Sequence, residues 1–365
     1  SNGTNYTATG NKTVESNYAG AVGFRLIASG DNPAASVTES AAPNIVVTGS
    51  GTDKFTFQVS AAQSRVGNLD LSGFAGPIGD STSGNRNAPP VIFGNLTLNA
   101  ASNFTNLTSA TTWFFAGTGT TQTINFAGLT ATNAVTFGGT AGVTLAANLT
   151  IDSTKSFSLT AGTLTLAGFT LSTGSVSITG STARGISFGG GKITVNGSGA
   201  SAWSATGSNF TSSGSGTIEM ASASAKTFAG GGNTYTCALD QKGAGALTIS
   251  GNNTFANVTN TVSATSATTI TLTSNTTQTL TAGCGLAGAS GFVLTLNTST
   301  PGTQARVSYN GLSATMNYVS VKDIVARGGC RYYAFTGSTN SGNNAGLVFS
   351  RGAMRGGMGG CMVAI

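Results

Sequence analysis

The sequence predicts an all-β protein built as a right-handed parallel β-helix, and three observations support this. Only 7% of its 365 residues are charged and 54 are Gly, which suits a chain with many tight corners. Apolar residues alternate with Ser and Thr in short runs, the period of a half-buried strand. Related runs recur every 25–29 residues, and self-similarity at this period is typical of a solenoid.

The most regular stretch is 148–180, which reads NLTIDSTKSFSLTAGTLTLAGFTLSTGSVSITG. Glycines punctuate it and supply the backbone conformations that tight corners need. The stretch therefore predicts short strands separated by Gly corners. Its apolar pairs, each with one residue between its members, are Leu149/Ile151, Phe157/Leu159, Leu164/Leu166, Phe169/Leu171 and Val176/Ile178.

We expect each turn of the coil to contain two or three short strands and to bury its Leu, Ile, Val and Phe against the next turn. Thr and Asn at equivalent positions are expected to align in ladders. The alternative is a row of tandem β-sandwich domains, which would show the same alternation. The period is measured from Leu69 to Leu96, Leu96 to Ile124, Ile124 to Leu149, Leu164 to Ile193, Ile193 to Ile218 and Ile218 to Leu247.

Composition divides the chain into four regions. Residues 1–60 are polar and irregular, and we expect them to form an atypical N-terminal cap or attachment region. Residues 61–300 carry the repeats and form the β-helical shaft. Residues 301–350, with their cluster of aromatic residues, are expected to form a C-terminal β module that closes the coil. Residues 351–365 are rich in Gly, Met and Arg and are expected to be a flexible tail.

The absence of histidine excludes several kinds of chemistry. It removes Ser-His-Asp and Cys-His nucleophile systems and His-based zinc sites. We therefore assign no catalytic residue, no metal and no cofactor. The chain has no apolar run of about 18 residues, so no membrane span is expected. The cysteines are widely spaced without a CxxC motif and are expected to be buried or free thiols: Cys237, Cys284, Cys330 and Cys361.

Positive charge is concentrated near the C-terminus. The net charge is +6, and residues 301–365 carry six Lys or Arg against Asp323 alone. This end is expected to meet an acidic partner or an anionic glycan. A nucleic-acid partner is not expected, because such proteins carry a denser basic surface.

The best binding candidates lie in the same region. Arg and Tyr are frequent in interface hot spots, so a partner or receptor contact is predicted at Arg327, Arg331, Tyr332 and Tyr333. The alternative is that these residues close the end of the β core. Trp113 and Trp203 are candidate platforms for stacking a sugar, with a core position as the alternative.

Three acidic residues in the repeats are candidates for glycan cleavage. Such chemistry needs two carboxylates roughly 5–10 Å apart on the solvent face. Asp152 and Glu219 occupy outward positions of their strands, and Asp240 lies in a later repeat. We expect all three to be solvated outward residues rather than a catalytic pair.

Several segments resemble repeats of phage structural proteins and of large bacterial surface proteins: VGNLDLSGFAG, FGNLTLNA, AKTFAGGGNTY and ALTISGNNTFANVT. The segment MNYVSVKDIVARGG, followed by STNSGNNAGLVF, resembles the module that closes β-helical phage virion proteins. Leu347 stands where that pattern usually has Trp, and Ile324 and Val325 replace its Ser/Thr pair. The resemblance covers about residues 64–350, and no catalytic residue carries over from it.

The resemblance implies a non-enzymatic virion component, a tail fibre or tailspike-like appendage on the particle surface. Its partners would be other virion proteins and a host surface glycan or receptor. We expect a homo-oligomer, most simply a trimer, because association hides exposed sheet edges. The alternatives are a glycan depolymerase on the same scaffold and an adhesin or filament protein of the bacterial cell surface.

Overall fold

The computed structural model describes residues 13–17, 24–28, 38–48, 55–59, 64–79, 89–105, 107 and 112–349. It confirms the predicted fold class: the chain is all-β, and parallel sheets form a stacked β-solenoid of about 12 turns. Two short 3₁₀ helices, Glu39–Ala41 and Thr261–Ala264, interrupt the strands. The tail predicted for 351–365 lies outside the described residues.

Each turn contributes a strand to each of three faces, because strands that are three apart in chain order pair with each other over most of the coil. Face I is a single 13-stranded sheet. Its strands are β5 (Arg65–Val66), β8 (Val91–Ile92), β11 (Trp113–Phe115), β14 (Val135–Phe137), β17 (Ser156–Leu159), β20 (Ser175–Ile178), β23 (Gly199–Ser204), β26 (Lys226–Ala229), β28 (Leu247–Ser250), β31 (Thr268–Leu272), β33 (Leu294–Thr298), β36 (Val319–Val321) and β39 (Thr339–Asn340).

Face II consists of a nine-stranded sheet followed by a four-stranded one. A bridge between Thr234 and Thr254 continues this face between the two sheets. Its strands are β1 (Thr13–Asn17), β3 (Asn44–Thr48), β6 (Leu69–Asp70), β9 (Leu96–Thr97), β12 (Gln122–Asn125), β15 (Val143–Leu145), β18 (Gly162–Thr165), β21 (Arg184–Ser187) and β24 (Phe210–Ser213), then β29 (Thr254–Phe255), β32 (Thr277–Leu280), β34 (Ala305–Tyr309) and β37 (Ile324–Arg327).

Face III is divided into sheets of four, seven and three strands. Its strands are β2 (Phe24–Ala28), β4 (Phe55–Val59), β7 (Pro77–Ile78) and β10 (Asn103–Phe104), then β13 (Thr130–Ala131), β16 (Leu149–Ile151), β19 (Thr170–Thr173), β22 (Lys192–Val195), β25 (Thr217–Met220), β27 (Ala238–Gln241) and β30 (Asn257–Thr259), and finally β35 (Ser313–Thr315), β38 (Arg331–Ala334) and β40 (Leu347–Phe349).

The pairing excludes the alternative of tandem β-sandwich domains. A sandwich of that type is built from antiparallel sheets, whereas each strand pair in the described residues is parallel, from β1 with β3 to β38 with β40. Antiparallel pairing there is limited to an isolated bridge between Ala289 and Phe292. The right-handed winding stays a prediction.

The predicted period is correct in part of the coil. Leu69 pairs with Leu96, Leu96 with Ile124, and Ile193 with Ile218. The other three spacings are wrong, because they join strands on different faces. The actual partners are Leu145 for Ile124, Ile186 for Leu164 and Leu239 for Ile218.

Inward side chains of successive turns stack directly on one another. In face I, Phe115, Phe137 and Phe157 are buried and pack edge to face, with ring centroids 5.3 and 5.1 Å apart. Farther along, Trp203 stacks on Phe228 at 5.2 Å. Apolar side chains thus stack from turn to turn through the core of the coil, and their burial stabilises the fold.

Asparagine ladders hold the corners together, as the repeat predicts. The side-chain oxygens of Asn44, Asn68 and Asn95 each accept a hydrogen bond, at 2.7 Å, from a backbone N–H of the following turn. Gly162 marks a different corner, where φ is +69° and a Cβ would lie 2.3 Å from the carbonyl oxygen of Gly139. Side-chain amides and glycines thus let consecutive corners stack at the close spacing of a sheet.

Replacing Phe137 by Ala should lower the free energy of unfolding by about 3–5 kcal/mol, because it opens a cavity in the stacked core. The matched control is Thr136→Ala on the same strand, whose side chain lies on the outer side and should cost less than about 1 kcal/mol. Denaturant unfolding followed by the fluorescence of Trp113, in the adjacent turn, measures both. Equal losses in the two variants would contradict the inward stacking.

Candidate functional site

The predicted binding residues lie on the last turns of the coil. Strands β35, β38 and β40 form the end of face III, where Thr315 pairs with Tyr333, and Tyr333 with Val348. Because side chains alternate along a strand, Arg331 and Tyr333 point outward while Tyr332 points inward. Residues 301–349 continue the faces of the shaft, since β34 pairs with β32 and β36 with β33.

Only part of the predicted set is accessible. Arg327 and Arg331 are exposed, and Tyr333 is partly exposed. Tyr332 is 1% exposed, and its hydroxyl donates to the backbone carbonyls of Arg327 at 3.1 Å and Val307 at 3.3 Å. Burial raises the pKa of this phenol, which stays protonated. The prediction that Tyr332 contacts a partner is therefore wrong, because its side chain belongs to the core.

The structure adds three apolar residues to this surface. Phe335 stacks on Tyr333 with ring centroids 4.9 Å apart, Val348 is 51% exposed, and Leu312 is 94% exposed. These are three of the four exposed large hydrophobic residues in the described part of the chain. We define the terminal patch as Leu312, Arg331, Tyr333, Phe335 and Val348. The alternation Arg331–Tyr333–Phe335 is visible in the sequence, but the neighbourhood of Leu312 and Val348 depends on the register.

Charge around the terminal patch is of one sign. The cations at this end, all exposed, are Arg306, Lys322, Arg327 and Arg331. Asp323 is the acidic residue of this region, and it is 2% exposed. The salt bridge between Lys192 and Glu219, at 3.1 Å, lies in the shaft and not at this end. The described residues after 300 thus present exposed cations, while their acidic residue, Asp323, is buried.

The GNN motif that underlies the resemblance fastens the last turn. Asn343 donates from its side chain to Asp323 at 2.7 Å, and the backbone N–H of Gly302 donates to the same carboxylate at 3.0 Å. Asn344 accepts from the backbone N–H of Ile324 at 2.9 Å. The hydrogen bonds that Asp323 accepts, first that from Asn343 and then that from Gly302, hold the pKa of Asp323 below its ordinary value. The motif therefore links three successive turns and has a structural role here.

The two tryptophans are core residues. Trp113 and Trp203 are both fully buried. Trp203 donates weakly to the hydroxyl of Tyr235 at 3.4 Å and stacks on Phe228. Their predicted role as platforms for sugar stacking is wrong, since neither indole presents a face to solvent.

The acidic residues of the shaft include one close pair in register. Glu219 and Asp240 lie opposite each other on β25 and β27 of face III. Their hydrogen bonds lead in opposite directions, however. Glu219 accepts from Lys192 and Thr194 in the preceding turn. Asp240 is buried and accepts from Thr259 and Thr261 in the following turn.

This arrangement explains both carboxylates structurally, and Asp240 is not the solvated residue that the sequence predicted. Asp152 is engaged locally, accepting from the backbone and hydroxyl of Thr154 at 2.8 and 2.6 Å. Asp152 lies in the corner that follows β16, several turns of the coil away from Glu219. The described residues thus do not bring Asp152 and Glu219 together.

Buried thiols and a buried amine complete the inventory of reactive groups. Cys237, Cys284 and Cys330 are free, and burial raises the pKa of Cys237 to about 12 and of Cys284 to about 11. Cys361 lies outside the described residues.

Within the described ranges, no group of three His, Cys, Asp or Glu residues could hold a metal ion. No helix of the described chain is long and apolar enough to cross a membrane.

Lys226 is a buried cation held at one corner of the coil. It is 2% exposed, and its Nζ donates to the carbonyls of Ser222, Gly243 and Gly245 at 2.8, 3.2 and 2.6 Å. Desolvation lowers its pKa to about 8. Gln241 donates to two of the same carbonyls, so this pair satisfies the backbone of the corner.

Comparisons with known proteins add no family: no family model matches the chain, no curated protein matches it, and no solved structure matches it. The resemblance to phage virion proteins stays a prediction.

Acid should weaken the last turn through Asp323. Its pKa is depressed in the folded chain, so its contribution is present above the ordinary pKa of about 4 and is lost as pH falls below it. The thermal midpoint should therefore be measured at pH 6 and at pH 3, on either side of about 4. The native protein should show a larger drop between these two values than the Asp323→Asn variant. Asn343→Gly, which removes the donor at a positive φ that Gly tolerates, should reduce the same difference. Identical pH profiles would contradict this role.

Alkali should stabilise the fold through Lys226. The unfolded state, with a lysine pKa of about 10.4, binds more protons than the folded state between about pH 8 and 10.4. The free energy of unfolding should therefore rise with pH across that window, by on the order of 2 kcal/mol. Denaturant titrations of the native protein and of Lys226→Met isolate the effect, because other titrating groups are common to both. A difference between them that does not vary with pH would refute it.

Proposed function

We propose that the protein is a non-enzymatic structural component of a phage virion appendage, a tail fibre or spike-like rod. The observation that carries the proposal is the uneven surface of the coil. Along the shaft the outward positions of the strands are mostly Ser and Thr, as in β17 and β20. Exposed cations and apolar side chains gather at the C-terminal end.

The mechanism is geometric. Parallel hydrogen-bond ladders between turns, about 4.8 Å apart, resist bending along the axis. The dry column of aromatic and aliphatic side chains leaves little room for rearrangement, and a void lined by residues such as Ile249 and Val307 measures only about 10 Å³. A rod of this kind transmits position from one end to the other. One end joins the particle and the other contacts the host surface, and association into a trimer covers exposed ends.

The rod would contact a glycan or a receptor on the host surface. The protein itself would lie on the surface of the virion. The resemblance of the repeats and of the closing segment to phage virion proteins supports this location. The engagement of Glu219 and Asp240 with separate structural partners favours a non-enzymatic role over a glycan depolymerase.

Antibodies raised against the purified chain should label an appendage of phage particles from the source culture by immunogold electron microscopy. Free protein should also slow adsorption of these particles to host cells, because it occupies the same receptors. Bovine serum albumin at equal concentration is the control. Label on the bacterial surface without particles would instead identify an adhesin, and sustained release of reducing sugar from host polysaccharide would identify a depolymerase.

A further inference from the structure

We propose that the terminal patch and the free edge of β40 form a docking surface for an extended acidic segment of a partner protein, which adds as the next strand of face III. This deepens the proposed function and rests on it in one respect, since it takes the C-terminal end as a contact end of the rod.

In the described residues, β40 is the last strand of face III. This strand pairs with β38 through Leu347, Val348 and Phe349. No strand in the described residues pairs with its other side. A free edge offers a row of backbone N–H and C=O groups, which a polypeptide can extend by strand addition. A sugar chain cannot use this row in the same repeated way.

The outward side chains beside this edge are spaced for a strand. Val348 is in register with Tyr333, and Phe335 follows two residues after Tyr333 on the same side. An added strand would place alternate side chains directly beside Val348, with the Tyr333–Phe335 pair one strand farther in. Covering exposed aliphatic side chains such as Val348 and Leu312 with apolar side chains of a protein contributes favourable free energy to binding. Sugars prefer a free aromatic face, and here the two rings already cover each other.

The positive charge of this end favours an acidic segment as the binding partner. A second copy of this chain would bring its own Arg327 and Arg331 against the same cations, and residues 351–365 carry Arg351 and Arg355 with no acidic residue. Both are like-charged with the surface. A segment with alternating acidic and apolar residues complements it, because its carboxylates can pair with the exposed Arg331 while its apolar residues cover Val348.

The probe is a fluorescein-labelled octapeptide of alternating Val and Glu, titrated into the full chain and followed by fluorescence polarisation. We expect saturable binding that weakens as NaCl is raised. The same peptide with Lys in place of Glu should bind at least tenfold more weakly. A Val–Glu peptide N-methylated at alternate residues, which cannot pair with an edge, should also lose at least tenfold.

Variants locate the surface. Arg331→Glu and Val348→Ser should each weaken binding of the Val–Glu peptide at least fivefold. Their matched controls are Lys155→Glu, an exposed cation in a shaft corner, and Val293→Ser, an exposed valine outside the terminal patch. Both controls should bind within about twofold of the native protein. Circular dichroism and thermal midpoints establish that all four variants are folded.

Several results would overturn the inference. They are no binding of the Val–Glu peptide, equal binding of the N-methylated peptide, equal loss in the shaft controls, and preferential binding of an acidic polysaccharide such as polygalacturonate. Concentration-dependent dimerisation abolished by Arg331→Glu would assign the surface to a second copy instead. The peptide assay needs no particle, so the two proposals can fail separately. Labelled appendages without peptide binding would support the proposed function and reject the docking surface. Peptide binding without labelled particles would support the docking surface and reject the proposed function.

Discussion

The parallel pairing of each turn with the next is the constraint on which this structure depends. A single turn, which takes 21 residues from Ile124 to Leu145 and 28 from Leu96 to Ile124, cannot bury its own apolar side chains. It does so only when like residues stack above and below, as Phe115, Phe137 and Phe157 do. The backbone ladder fixes that register, and a slip by one residue would turn every inward side chain to solvent.

Corners determine whether this stacking can continue. They carry backbone groups that face inward without strand partners, and buried side chains satisfy them. Gln122 donates to the carbonyls of Ile92 and Gly94 and accepts from the N–H of Gly117. Lys226 does the same at a later corner with its three carbonyl partners. These polar residues are part of the core, where they satisfy backbone groups that would otherwise be buried without a partner.

The ends of a solenoid differ from its shaft because no further turn covers them. Here the closing motif around Asp323 and Asn343 fastens the last turn to its predecessors. The same region exposes Arg331, Val348 and part of Tyr333 beside β40, whose outer side pairs with no strand of the described residues. Buried and exposed side chains alternate along β38, with Tyr332 pointing into the core and its neighbours pointing out. This alternation is the physical basis for the contact function that we propose at this end.

The sequence by itself determined the fold class, the existence of a repeat, the Asn ladders and the basic end. Alternation and Gly corners are local properties of the chain, so they can be read without a structure. It could not assign strands to faces, because all three faces carry the same pattern. This is why Ile124 was joined to Leu149 instead of Leu145.

Burial and neighbourhood were decided only by the tertiary structure. Trp113 and Trp203 proved to be core residues, Asp240 a buried acceptor, and Val348 a neighbour of Tyr333. Each of these outcomes depends on which residues one turn places against the next. That register is set by corner lengths and buried polar contacts summed over the whole coil, and no local segment contains it.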